Sequence, residues 1–183
     1  MRYPLPPFAE ISYWWQIEDA AGQKLKTPPQ QFTYPDNRFS WERLSGEGIT
    51  IHWMTGQGDP AFAQTALDIA RASVQAIEAE LGGSRPDPLD IFIYDSEANL
   101  QGAMVLTGRE WLGGQARPEL GVVVVAVPSA QGYSSRMKRY LPHEITHLML
   151  YRLTTPEGYA CVPAWLNEGL ATANEQLPTP EYA

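Results

Sequence analysis

Residues 49–94 read ITIHWMTGQGDPAFAQTALDIARASVQAIEAELGGSRPDPLDIFIY, and the order of patterns inside them decides the fold class. Ile49, Ile51 and Trp53 alternate with Thr50, His52 and Met54, the period of two expected of a strand. Asp59-Pro60 places an N-cap residue before a proline at the first helical position. Ala63, Leu67, Ala70, Val74, Ile77 and Leu81 then recur every three or four residues, with Phe62 and Ile69 widening the stripe, until Gly82-Gly83 stops the helix. Pro88 to Tyr94 reads as a second strand. Strand, long helix, strand is a βαβ unit, so its two strands should lie parallel with a right-handed crossover.

Working outward from this unit, Ser96 to Met104 reads as a short helix. Gly121 to Val127 (GVVVVAV) is apolar on both faces, as a buried strand is. Arg136 to Arg152 and Ala164 to Gln176 read as two closing helices, with Pro142 either kinking the first or marking its start. On the N-terminal side, Ile11, Tyr13, Trp15 and Ile17 share one face of an expected strand, Asp19 to Gly22 form a turn, and Gln31 to Tyr34 and Arg38 to Trp41 supply further short strands. The expectation is an α+β protein in which residues 1–44 form a β-rich appendage, a hairpin or part of an immunoglobulin-like sandwich. Residues 45–183 then form the main domain. So few strands rarely stand alone in water, so the appendage should pack on something.

The 183 residues carry a formal charge of −8, with Arg136-Met137-Lys138-Arg139 the one dense basic spot. Phosphate binding needs concentrated Lys and Arg, so nucleic acid is not the expected partner. No apolar run approaches a membrane span and the start has no signal-peptide apolar region, so no membrane segment is expected and no compartment is indicated. The single Cys161 has no internal partner; it reads as an inert, partly buried thiol. His52 reads as an ordinary strand residue, and the six tryptophans mostly as core.

Two of the three histidines lie in Leu141-Pro142-His143-Glu144-Ile145-Thr146-His147-Leu148, an HExxH motif. On a helix, positions i and i+4 are about 6 Å apart along the axis and about 40° apart around it. Both imidazoles can therefore meet one ion, with Glu144 beside them and able to touch water without ligating the metal. Catalytic zinc takes three protein ligands. His52 is on a distant strand, which leaves Glu157, Glu168, Glu175 and Glu181 as the downstream carboxylates. Glu168 lies in Ala164-Trp165-Leu166-Asn167-Glu168-Gly169-Leu170-Ala171, an amphipathic helical start separated from His147 by twenty residues.

HExxH followed at this distance by WLNEGLA resembles the gluzincin zinc metallopeptidases, the clan of thermolysin and aminopeptidase N, and most nearly the bacterial peptidase-MA-like domains. The resemblance implies a zincin-like domain of mixed sheet and active-site helices that hydrolyses peptide bonds in peptides or proteins. It implies one Zn²⁺ per chain held by His143, His147 and Glu168, with Glu144 as the general base toward a metal-activated water. Glu175 and Asn167 become candidates to orient the ligand imidazoles. Trp111 to Ala116 precede the buried strand as the family's substrate-binding edge strand does, which makes Gly113, Gly114, Gln115 and Ala116 candidates for main-chain contact with substrate. Aminopeptidases of the clan place a glutamate in that segment to grip a free amine. None falls between Trp111 and Pro118, which points to an endopeptidase rather than a strict aminopeptidase.

The family's second electrophile, a Tyr or His, comes from a lobe well downstream of the glutamate ligand, whereas residue 183 is only fifteen positions past Glu168. Tyr133, Tyr151 and Tyr159 are available, but none matches that position. A missing C-terminal lobe or a homodimer is therefore expected. The alternative to an active peptidase is an inactive or truncated zinc-binding module that holds peptide without efficient cleavage.

Overall fold

A computed structural model describes residues 7–34, 36–85, 87–104 and 113–177. The N-terminal segment forms strands β1 (Glu10–Tyr13), β2 (Gln16–Glu18), β3 (Lys24–Lys26) and β4 (Gln30–Thr33). β1 pairs antiparallel with β4 and β2 with β3, so the four pieces make one long hairpin. It breaks at Trp14-Trp15, where the two residues on one side face Thr27-Pro28-Pro29 on the other. The alternating face is present but largely uncovered: Trp15 is 67% exposed and Leu25 63%. Trp14 and Trp15 are thus not core, because the hairpin projects from the body rather than lying on the sheet.

β5 (Trp41–Gly46) and β6 (Ile49–Met54) form a second hairpin that opens the main sheet, and β5 spans the 44/45 junction. Arg38 to Ser40 form a turn, and the strand expected there starts only at Trp41. Helix α1 (Pro60–Leu81) follows, capped by the Asp59 carboxylate accepting from the Phe62 amide at 2.9 Å. β7 (Leu89–Tyr94) runs parallel to β6, as the βαβ pattern requires. Helix α2 (Glu97–Gln101) is shorter than expected, its cap Ser96 accepting from Asn99. β8 (Gly114–Arg117), β9 (Val122–Ala126), α3 (Tyr133–Cys161) and α4 (Ala164–Ala173) complete the described residues. The sheet is mixed, in the order β5-β6-β7-β9-β8, which leaves β8 antiparallel at its edge. Trp111 and Leu112 lie outside the described residues.

One face of the sheet buries Ile51, Trp53, Ile91, Ile93, Val123 and Val125 under α1 and α3. The other carries a smaller cluster in which Phe8 stacks on Phe92 at 3.6 Å between ring centres. That second face also holds His52, whose Nε2 lies 2.8 Å from Asp90. The protein is α+β, and none of its described helices is long and apolar enough to cross a membrane.

The closing helices differ from expectation at their ends. α3 starts at Tyr133 because Gly132 supplies a left-handed residue (φ 86°) ahead of it, and its backbone stays helical through Pro142. The break comes instead at Thr155, with φ 61° and ψ 162°. Thr155 precedes Pro156, and the residue before a proline is pushed out of the helical region. α4 ends at Ala173, so Glu175 lies beyond the helix rather than two turns along it. Cys161, at the end of α3, is exposed rather than partly buried.

Candidate metal centre

The HExxH segment occupies the middle of α3, where Leu141, Ile145, Leu148 and Met149 are fully buried in the core beneath the sheet. That anchor turns the opposite side of the same turns, with His143, Glu144 and His147, toward α4 and the edge strand. Pro163 ends the connection from α3, and α4 carries Glu168 back across the histidines. Glu168 Oε2 stands 3.4 Å from His143 Nε2 and 3.8 Å from His147 Nε2.

The outer nitrogens of both rings are held. His143 Nδ1 lies 3.0 Å from Glu175 Oε1, and His147 Nδ1 lies 2.8 Å from Asn167 Oδ1. Both oxygens accept, so each Nδ1 donates its N–H, and in a neutral imidazole so held it is the Nε2 lone pair that faces Glu168. The Asn167 amide is fixed in turn, because its Nδ2 donates to the Tyr159 hydroxyl at 2.9 Å. Burial in this layer pushes the Tyr159 phenol above its ordinary pKa.

Two imidazole nitrogens and one carboxylate oxygen thus converge, all within 4.8 Å of one another. Ligands about 2.0–2.2 Å from a tetrahedral ion stand roughly 3.3–3.6 Å apart. The 3.4 Å between Glu168 and His143 falls in that span and the 3.8 Å to His147 lies just above it, so His143, His147 and Glu168 could hold a divalent ion such as zinc.

Glu144, on the same side of α3, reaches the edge strand. It is buried, it accepts the Ala116 backbone N–H, and a Cβ at position 114 would lie 2.9 Å from its Oε1. Only glycine lets the strand come this close. Desolvation pushes the Glu144 carboxyl up to about 8; the Ala116 N–H opposes that rise, and the negative charge of Glu168 adds to it. A carboxylate in this setting can exchange a proton near neutral pH.

This candidate triad, the buried acid and the glycine-lined strand occupy a stretch that also matches a family model, Peptidase MA superfamily, over residues 69–181. The chain belongs to that superfamily. The match runs from the second half of α1 through α4 and takes in every candidate site residue described above, while the projecting hairpin lies before it. Membership gives this Peptidase MA chain a metallopeptidase-like function, with peptides as its class of substrate. No curated protein matches the chain.

The remaining candidates fall in different places. Gly113 immediately precedes β8, and Gly114, Gln115 and Ala116 lie within it, with Gly114 against Glu144. Tyr133 packs on Phe62 and Tyr151 on Tyr159. Tyr140 was not singled out by the sequence, yet a Cβ at Gly113 would meet its ring at 2.7 Å. It precedes His143 by three positions, a helical spacing that could have flagged it.

Proposed function

We propose that this chain is a zinc-dependent peptidase, with His143, His147 and Glu168 as the metal ligands and Glu144 as the general base. The observation that carries the reading is the convergence of three lone-pair atoms whose imidazoles are both fixed by acceptors at Nδ1. Zinc, when bound there, supplies Lewis acidity toward water and carbonyl groups. Glu144, as the carboxylate, takes a proton from the attacking water and passes it to the departing amine. An extended peptide adds by main-chain hydrogen bonds to the outer edge of β8, which no other strand covers among the described residues. β8 carries no carboxylate, which favours an endopeptidase over a strict aminopeptidase. The test pairs elemental analysis with cleavage of a peptide library by wild type, Glu168→Ala and Glu144→Gln; zinc and cleavage unaffected by both substitutions would overturn the reading.

A second reading, a zinc-binding module that holds peptide without efficient cleavage, is favoured by α4. Trp165 is 75% exposed one turn before Glu168, and the Tyr159 hydroxyl is engaged by Asn167. A lobe or a second copy packed on Trp165 would then supply both cover and a second electrophile. Comparing cleavage by residues 1–183 with that of a longer coding sequence, where one exists, and measuring molecular mass in solution separate the two readings.

A further inference from the structure

Pro142 sits inside α3, immediately before His143, and it has no N–H to give the Lys138 carbonyl one turn back. That carbonyl is not left unpaired. The backbone N–H of Gln176 donates to it at 2.9 Å, from the segment that follows α4. The neighbouring residue of that segment is Glu175, whose carboxylate holds His143 Nδ1. We infer that Pro142 is a positioning residue for the metal centre: by vacating the Lys138 carbonyl it creates the acceptor that fastens Gln176, and so holds Glu175 against His143. The role rests on the reading that His143 is a metal ligand.

Glu175 needs such a fastening. It lies past the end of α4, tied to the helix by one bond of its own, its N–H to the Thr172 carbonyl at 3.2 Å. Its side chain is only 6% exposed, and its Oε2 has no hydrogen-bond partner among the described residues; Arg139 Nε stands 3.8 Å away. A carboxylate on an unfastened segment would leave such a place for water, because burying a charge is costly and ordering a loop residue costs entropy. The Gln176 amide removes that freedom one residue away. Its side chain adds a weaker tie, Nε2 to Ser73 Oγ at 3.3 Å on α1. A proline in a helix interior normally weakens the helix, since its ring also pushes the carbonyl four residues back off the axis. Here the carbonyl that the proline leaves without a helical donor is the docking point.

Pro142→Ala returns an N–H to the helix and draws the Lys138 carbonyl back toward the axis. Hydrogen exchange on the metal-free protein reads the fastening directly, and the Gln176 amide should exchange at least about tenfold faster in the variant. Zinc affinity, measured by chelator competition, should fall roughly tenfold, at the low end of what loss of a ligand-orienting partner costs. In a Glu175→Ala background the same substitution should cost almost nothing, because the two act in series. The metal-free melting temperature should not fall, since alanine suits a helix better than proline. Gln176→Pro deletes the donor from the other side and should reproduce the loss of affinity, which also serves if Pro142→Ala does not fold. Unchanged Gln176 exchange, or an affinity loss that persists in the Glu175→Ala background, overturns the inference. If wild type and His143→Ala take up zinc equally, the metal reading fails and the positioning role falls with it, whereas the exchange result still reports on the fastening alone.

Discussion

Gly114 and Glu144 touch through the space where a side chain would be: a Cβ at position 114 would stand 2.9 Å from Glu144 Oε1 and 3.0 Å from Val125 Cγ1. The edge strand and the proposed base are therefore one packed unit. Gly114→Ala should displace the carboxylate, because Val125 is buried and cannot yield. A displacement approaching 1 Å can cost about 10² in rate. Peptide cleavage should drop by about that factor while zinc content stays at wild-type level; equal loss of both would mean that the substitution disturbs the fold.

Glu144→Gln keeps the shape of the side chain and deletes the base. Zinc binding and melting temperature in the metal-loaded form should hold, while cleavage falls by about 10² to 10⁴. Loss of zinc in this variant would make Glu144 a ligand and remove its assigned role.

The metal-free protein should carry the signature of that buried acid in its stability. The folded-state pKa of Glu144 is raised to about 8 from an ordinary 4.5. Its neutral form is the one the fold prefers, so the contribution is fully present below about pH 4.5 and is lost as the pH rises toward 8. Melting curves in chelator should show wild type losing ground to Glu144→Gln steadily between pH 5 and pH 8. Parallel profiles for the two proteins would show that the carboxyl is not held neutral.

Removing a ligand should be more drastic than removing an orienting partner. His143→Ala, His147→Ala and Glu168→Ala each leave two protein ligands, too few for tight zinc at a catalytic site. Stoichiometry by elemental analysis should fall from about one per chain to near zero. Retained zinc in Glu168→Ala would remove the gluzincin ligand set.

Much of this arrangement was legible because it is local. The βαβ core follows from alternation in 49–54, a strand-like run in 88–94 and one apolar stripe in 60–81, each settled by near neighbours. The histidine pair follows from helical spacing alone. The ends of α1 and the start of α4 were legible too, but the bounds of α3 and the end of α4 were not. Pro142 and Pro156 look alike in sequence, yet the helix passes through the first and breaks before the second. At Pro142 the freed carbonyl finds a partner in Gln176, which is thirty-four residues further on and which only the turn between α3 and α4 brings near. The same turn decides that Glu175 lies off the helix and still reaches His143. The hairpin's alternating pattern was readable, but not its exposure, because alternation states which residues share a face and not what covers it.

The layer behind His147 makes a graded prediction. Asn167 Oδ1 holds the imidazole, and the Tyr159 hydroxyl keeps the amide from turning its nitrogen toward the ring. Asn167→Leu removes the acceptor and should weaken zinc binding by about 10- to 100-fold, the usual cost of losing a partner of this kind. Tyr159→Phe only frees the amide to rotate, so its cost should be smaller, on the order of a few-fold. Asn167→Asp retains an oxygen for Nδ1–H and should stay near wild type, because a carboxylate serves as acceptor whichever way it turns. Chelator competition on the three variants orders them directly. Affinities for Asn167→Leu and Asn167→Asp that are equally high would mean that the acceptor at this position does nothing for the metal, and that packing alone sets the His147 ring.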